Sequence, residues 1–325
     1  MKVLTICTAA YNAESYICKM MESIMLSPLS DYIELIVVND GSTDNTKNIL
    51  AEYEKKYIGI LRVVHQENGG SGAARNRAFK LATGKYIKII DADDYVETDK
   101  LTDFIEFLLN TDADMILNGY YISQNDSVEF KTFKGLNEQL YKCEDITIEP
   151  FLLSMHGVTY KTSIISQNNI QLSVGLSYVD KEYVTLPLPY VQTIQYINIP
   201  FYVYRLGIAG QSVDPRVSME KNEMRQKIGF RLLTEYDLHK SETCNCIKEL
   251  IEYNIALLFK DYFDIYCRRC KMRFFFIFVK NDIKVKKLNS QIYDYLGRTV
   301  NNMDYMRSKF YWGYLSLWAR KKTRR

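Results

Sequence analysis

Apolar residues in the first 120 positions fall into short runs that alternate between strand-like and helix-like spacing. Val3–Thr8, Glu34–Asn39, Ile60–His65, Lys85–Ile90 and Asp114–Tyr120 have the length and the Val/Ile content of buried strands. Between them, Tyr16, Ile17, Met20, Met21 and Ile24 recur at helical spacing. A helix running to Tyr57, with Ser42 or Thr43 placed to cap it, another over Ala73–Ala82 and a third over Leu101–Asn110 complete the alternation. Strands separated by helices of this length imply right-handed crossovers, hence an α/β fold with a mostly parallel central sheet and flanking helices. Beyond Tyr121 the spacing predicts an antiparallel excursion over Ser123–Gln139 and a helix over Glu144–Met155. Two short strands follow around Pro200 within Tyr196–Arg205, and helix extends from Val217 onward.

Polar residues cluster where these strands end. Thr8–Asn12 follows the first strand, Asn39–Ser42 the second, Gln66–Gly70 the third and Asp91–Asp94 the fourth. In an open parallel sheet ligands bind outside the carboxyl ends of the strands, so four polar strand ends describe one binding rim. Asp91, Asp93 and Asp94 lie within four residues and repel one another at neutral pH. A Mg²⁺ or Mn²⁺ ion bound through carboxylate oxygens relieves that repulsion; a capped turn at Asp94 or Thr98 is the alternative. Glu67–Gly72 is a glycine-rich turn opening a helix. Its backbone N–H groups, with Arg75, suit an anion such as a diphosphate.

Composition narrows the class. Of 325 residues, 25% are charged and 47% hydrophobic, with 15 Gly and 6 Pro, which excludes collagen-like and largely disordered chains. No stretch approaches the ~20 apolar residues of a membrane span. The N-terminus turns polar by Thr8 and lacks the apolar core of a secretory signal, so the expected location is the cytoplasm. Seven cysteines at irregular spacing do not form a disulfide framework. Cys244, Cys246, Cys267 and Cys270 could supply a zinc site, but their helix-like surroundings favour ordinary thiols. The net charge of +3 conceals an asymmetry: residues 260–325 hold 17 basic and 5 acidic residues, and residues 1–259 the remaining 25 basic and 34 acidic.

The order and spacing of four segments now carry a resemblance. Thr8-Ala-Ala-Tyr-Asn-Ala-Glu14, Val37-Val-Asn-Asp-Gly-Ser-Thr-Asp44, Asn68-Gly-Gly-Ser-Gly-Ala-Ala-Arg-Asn76 and Asp91-Ala-Asp-Asp94 resemble family 2 inverting glycosyltransferases of the bacterial capsule, exopolysaccharide and lipopolysaccharide branch. Ala9 departs from the family, where proline is common. The resemblance implies the glycosyltransferase-A fold of nucleotide-diphospho-sugar transferases. It also implies transfer, with inversion, from a nucleotide-sugar, most often a UDP-sugar, to a saccharide or lipid-linked saccharide acceptor. By position, Tyr11 would stack on the base and Asp40 would bind uracil or ribose. Thr8, Asn12, Glu14 and Ser42 would line the same pocket, with Gly70, Arg75 and Ala92 also on the donor side. Asp91 would lie near the ribose, and Asp93, with Asp91, would bind the metal. Fainter similarity continues to about residue 215. Gly175–Tyr183 matches the stretch holding the catalytic base, with Val179 where many relatives have Glu; Asp180 is the first candidate and Glu182 the second. Tyr202–Arg205 and Gly210–Ser212 resemble the family's segment near the diphosphate, where Arg205 either pairs with phosphate or merely ends a strand. His156 and Lys161 are candidates for the acceptor side.

The expected organisation is a catalytic domain over 1–215 and a helical, basic region over 216–325. The first comprises a nucleotide-sugar half, 1–120, and a half over 121–215 for the acceptor and the base. Phe274–Val279 is flanked by cations and either packs inward or faces a membrane, and Phe310–Ala319 precedes the basic tail. Aromatics beside Lys and Arg suit the inner leaflet of an anionic membrane, so peripheral attachment to the cytoplasmic membrane is expected, with helix-mediated homodimerisation a further expectation. No nucleic-acid motif accompanies the basic end, and the acidic front repels phosphate backbones, so nucleic acid is not an expected partner. The competing reading is a non-catalytic nucleotide-sugar-binding scaffold of a polysaccharide assembly complex.

Overall fold

The structure, a computed structural model, describes residues 1–125, 127–133, 135–146, 149–208, 211, 215–269, 274–300 and 302–323. Strands β1 (Leu4–Ala10), β2 (Ile33–Asp40), β3 (Leu61–Gln66) and β4 (Tyr86–Ile89) are the first four expected strands. With β5 (Tyr95–Val96), β6 (Met115–Gln124), β7 (Ser127–Lys131), β8 (Leu140–Lys142), β9 (Val158–Lys161) and β10 (Thr193–Arg205) they form one sheet. Its main path runs β3-β2-β1-β4-β9-β6-β10-β5, with β7 on β6 and β8 on β10. The first four pair in parallel, and β10 pairs in parallel with β6. Strand β9 is antiparallel to both β4 and β6 and fills the gap between them.

Helices cover both faces. On one side lie α1 (Ile17–Met25), α2 (Thr46–Lys56) and α4 (Thr98–Asn110). On the other lie α3 (Ser71–Leu81), α5 (Thr162–Gln167) and α6 (Val179–Thr185). Burial on both faces is why β2 is apolar without alternation. Ile33, Leu35 and Val37 point into the first layer, and Ile36 and Val38 into the second. Helix α4, expected over Leu101–Asn110, buries Leu101, Phe104, Ile105 and Leu108, which share one face at helical spacing.

The second layer continues without a break into the C-terminal helices α7 (Pro215–Glu220), α8 (Asn222–His239), α9 (Asn245–Arg269), α10 (Phe275–Leu288), α11 (Ser290–Thr299) and α12 (Met303–Thr323). Phe230, Ile255, Phe259 and Phe278 belong to the same buried cluster as Ile36, Ala74 and Tyr183. Residue 215 therefore marks a change of element type but not a change of core. Phe278 is fully buried, whereas Phe276 is 78% exposed, so the Phe274–Val279 run divides between core and solvent. Among the described residues no helix is long and apolar enough to cross a membrane.

Two expected elements differ. Glu144–Met155 is not a helix in its described part. Pro150 interrupts it, and Asn254 on α9 clamps the extended chain, accepting from Leu153 N (2.8 Å) and donating to Phe151 O (3.0 Å). Tyr196–Arg205 is not two strands but the second part of the single strand β10, whose register against β6 shifts between Ile197 and Tyr202, where Pro200 sits. Cys270 lies outside the described residues. Of its suggested zinc partners, Cys244 donates to Cys143 O and Cys267 to Met306 Sδ.

A lysine stands in the middle of β4. Lys88 is fully buried, donates to His156 O (2.9 Å) and Val158 O (3.1 Å), and lies against the rings of Phe201 and Tyr202. Desolvation lowers its pKa from 10.5 to about 7. Between those values the unfolded chain binds a proton that the folded chain does not, so this group makes stability rise with pH across that window. The stability difference between wild type and Lys88→Met is expected to move in favour of wild type from pH 7 to pH 9, by up to about 1.4 kcal/mol per pH unit. Urea unfolding at several pH values measures it, and a flat difference would refute a neutral folded lysine.

Candidate active site

The loops after β1 and β2 are stitched together before they meet any ligand. Asn12, at φ +49°, accepts from Thr43 N (2.8 Å), and its own N–H donates to Ser42 Oγ (3.0 Å). Glu14 accepts from Asn45 N (2.8 Å), and its N–H donates to Asp44 Oδ2 (3.0 Å). Asp40 is buried and holds the glycine turn. Its carboxylate accepts from Gln66 Nε2 (2.7 Å), Gly69 N (2.9 Å) and Gly70 N (2.8 Å). Gly70, at φ +83°, makes the turn into α3 with a backbone that other residues rarely adopt. At Gly72 a Cβ would sit 2.0 Å from Ser173 O, so only glycine lets α3 approach the loop before α6. Asn76 completes that junction, bonding Leu172 through both its N–H and its carbonyl (2.8 Å each).

Two clefts open at this rim. One, of about 390 Å³, is lined by Ala9–Ala13, Tyr16, Asp40, Ser71, Asp91, Ala92, Asp93, Ile208 and Gln211. The other, of about 740 Å³, contains Arg75, His156, Tyr178, Asp180, Lys181 and Tyr204, and extends to Lys221 and Arg225 on α7–α8 and Asp261 on α9. Both volumes suit small ligands. Ser71 and Asp91 line both, so the clefts adjoin at the glycine turn and the acidic strand end.

The three carboxylates of that strand end bring oxygens within 4.8 Å of one another but have different duties. Asp94 is fully buried and satisfied at both oxygens, by Tyr202 OH (2.6 Å) and Arg205 N (2.8 Å). It anchors β10 and is not a helix cap. Burial, then the neighbouring Asp91 and Asp93, push its carboxyl well above the usual range. Asp91 pairs with Arg75 Nη2 at 2.5 Å. Desolvation raises its carboxyl, with Arg75 opposing the shift and Asp93 adding to it. Asp93 is partly exposed and accepts from Gln211 Nε2 (3.1 Å). Asp91 and Asp93 are thus the pair open to a cation. Hard carboxylate oxygens fit Mg²⁺ or Mn²⁺, which take their remaining ligands from phosphate and water.

Several residues stand elsewhere than the sequence suggested. Thr8 does not line the pocket: it is fully buried and its hydroxyl donates to Ile90 O (2.8 Å), tying β1 to β4. Glu182 faces away from the cleft. It is fully buried, paired with Arg231 of α8 at 2.6 Å, and accepts from Ser173 N and Oγ. That leaves Asp180 as the carboxylate of α6 on the cleft wall. Lys161 pairs with Asp112 at 2.9 Å, because antiparallel β9 carries it away from His156 to the end of the sheet where β4 begins. Glu14, Asn12 and Ser42 shape the rim through their loop contacts. Arg205 lies between Tyr16 and Tyr95, and its Nε donates to Asp93 O. Its buried Nη2 finds no hydrogen-bond partner among the described residues. Gly210 and Ser212 lie outside the described residues.

His156 is on the cleft wall, stacked on Tyr204 with centroids 4.1 Å apart, and its Nδ1 lies 2.6 Å from Ser154 Oγ. Burial, then the charge of Lys88, hold its pKa well below the usual value, so the ring is neutral at physiological pH. Tyr16, Tyr178 and Tyr204 are wall residues that sequence reasoning did not single out. The signal for Tyr204 was its place inside the Tyr202–Arg205 segment, which was read for Arg205.

Replacing Glu182 by Ala removes the partner of Arg231 and of two Ser173 donors. It is expected to cost on the order of 3 kcal/mol, the lower part of the range for a broken buried pair, because Arg231 is 30% exposed. Urea denaturation measures it, and a loss below ~1 kcal/mol would show that the pair is not structural.

This geometry has counterparts among known proteins. The teichoic acid poly(glycerol phosphate) polymerase of Staphylococcus epidermidis is 30% identical over 258 residues, covering 77% of this chain and 34% of that protein. The putative glycosyltransferase EpsH of Bacillus subtilis is 28% identical over 221 residues, covering 63% and 61%. The chain thus spans less than two thirds of either relative. The crystal structure of S. aureus TarS 1–349 in complex with UDP-GlcNAc superposes at a TM-score of 0.69 and 18% identity, over 100% of this chain and 93% of that one, which shows a shared glycosyltransferase-A fold including the helical region. The family model described as glycosyl transferase family 2 matches residues 5–167, from β1 through the acidic strand end to β9 and α5. By that match the chain belongs to glycosyl transferase family 2.

Proposed function

We propose that the chain transfers a sugar, with inversion, from a UDP-sugar to the hydroxyl of a saccharide acceptor. The observation that carries this is the pair of clefts adjoining at Ser71 and Asp91, with Asp93 in one and Asp180 in the other. The donor occupies the smaller cleft, its base against exposed Tyr11 and its diphosphate towards Asp91, Asp93 and the start of α3. The uracil preference has support from the TarS fold, whose structures hold UDP and UDP-GlcNAc. Asp40 acts by fixing the Gly69–Gly70 backbone beneath the donor. A divalent cation on Asp93 and Asp91 would neutralise the diphosphate as it departs.

In the larger cleft Asp180 accepts the proton of an acceptor hydroxyl. The oxygen bonds to the anomeric carbon from the face opposite the diphosphate, and the carbon–oxygen bond to UDP breaks with its electron pair leaving on UDP. Arg75 holds Asp91 in place, and neutral His156 and the tyrosines offer hydrogen bonds and ring faces to a sugar. The acceptor is a growing bacterial surface glycan, in keeping with the relatives above, and is carried on lipid at the inner face of the membrane. We read 1–215 as the catalytic division, with the helical region bounding the acceptor cleft through Lys221, Arg225 and Asp261.

The test is UDP release across a panel of UDP-sugars, with Mn²⁺, Mg²⁺ or EDTA. One favoured donor and loss of release in EDTA are expected. Folded protein that binds UDP-sugars without ever turning them over would instead establish a scaffold, and protein that neither binds nor hydrolyses any would end the UDP-sugar reading.

A further inference from the structure

The outward face of α10 mixes two kinds of residue and lacks a third. Phe276, Ile277, Lys280, Ile283, Lys284, Lys287 and Leu288 are exposed on a stripe of about 140° of the helix circumference. Phe278, Asn281, Asp282 and Val285 are buried on the opposite side. Lys286 is exposed on the flank. The single acidic residue of α10, Asp282, is withdrawn from the surface, paired with Arg307 at 2.6 Å and bonded by Tyr311 OH at 2.8 Å. The exposed face is therefore four large apolar side chains with three lysines, of which Lys284 also lies over the Phe230 ring at 4.0 Å, and Lys286 on its flank; α10 adds no carboxylate to it. An exposed phenylalanine costs hydration and gains nothing in the fold, and Phe276, at 78% exposure, is not covered by its neighbours.

We infer that this face docks the protein on an anionic lipid surface, with α10 in the plane of the interface. The inference rests on the reading of a lipid-borne acceptor given above, and it assigns the contact to α10 rather than to the basic tail. Charge complementarity selects the partner. The lysines of this face and its flank repel a second copy of themselves across a two-fold axis, whereas a bilayer with anionic headgroups supplies counter-charge to them. The apolar residues reach past the headgroups while the lysine stems extend beside them to the phosphates.

Co-sedimentation of the whole chain with phosphatidylglycerol/phosphatidylcholine vesicles, against phosphatidylcholine alone, tests it. Binding to the anionic vesicles that weakens with salt is expected. The double variant Lys280→Gln with Lys287→Gln is expected to bind them at least tenfold more weakly, and Phe276→Ser also more weakly. Both should release UDP from a soluble donor at the wild-type rate. Wild type that stays in the supernatant, or variants that sediment as wild type does, would overturn the assignment. So would a dimer in sedimentation velocity that Phe276→Ser dissociates, since a second copy would then cover the face. Vesicle binding that the variants lose, in protein that never releases UDP, would support the docking face while ending the transfer reading.

Discussion

Asp180→Asn is expected to lower sugar transfer to an acceptor by about 10²–10⁴-fold, the range a positioned general base contributes. The amide keeps the size of the side chain on the cleft wall but takes up no proton. Donor affinity should stay within a few-fold of wild type, because Asp180 lines the larger cleft and not the smaller one. UDP-sugar binding by calorimetry, with steady-state transfer rates, separates the two quantities. Equal losses in binding and transfer would move Asp180 from the proton to the donor. Activity near wild type would leave the base unassigned, since Glu182 is closed off by Arg231.

Asp93→Ala acts on the other half of the reaction. It is expected to reduce UDP release by about 10²–10³-fold, comparable to the removal of one group that stabilises developing charge. Asp93 is the acid of its trio that faces the smaller cleft without an ion-pair or backbone partner among the described residues. The protein should remain folded, because among the described residues the lost carboxylate bonds to Gln211 alone. Titration with Mn²⁺ should shift to much higher concentration. A variant with wild-type metal dependence would place the cation elsewhere.

Much of the catalytic half was legible because each parallel strand ends in a cluster whose chemistry differs from ordinary turn residues. What escaped depends on direction and phase. Asp180 and Glu182 are two residues apart on a helix and so face opposite ways, and no spacing rule says which of them meets the cleft. Only the arginine arriving from α8, 49 residues later, decides it. His156 and Lys161, both candidates for the acceptor side, stand at opposite ends of β9, and the sequence does not say which end meets the cleft. In Phe274–Val279 every position is apolar, so the pattern carried no helical phase, and packing alone turned Phe278 inward and Phe276 outward. Glu144–Met155 reads as a helix until Asn254 is known to lie beneath it.

The Glu182–Arg231 pair has a consequence for how such enzymes exchange parts. Glu182 lies in the sheet-bearing half and Arg231 in the helical half, so each half carries one side of a lock. A chimera that joins this sheet to another relative's helices would bury a lone carboxylate two residues from Asp180, unless the incoming helix brings a guanidinium to the same place. Recombination at residue 215 is therefore constrained by one matched charge as well as by shape, and transplanted helical regions should succeed in sets defined by that match.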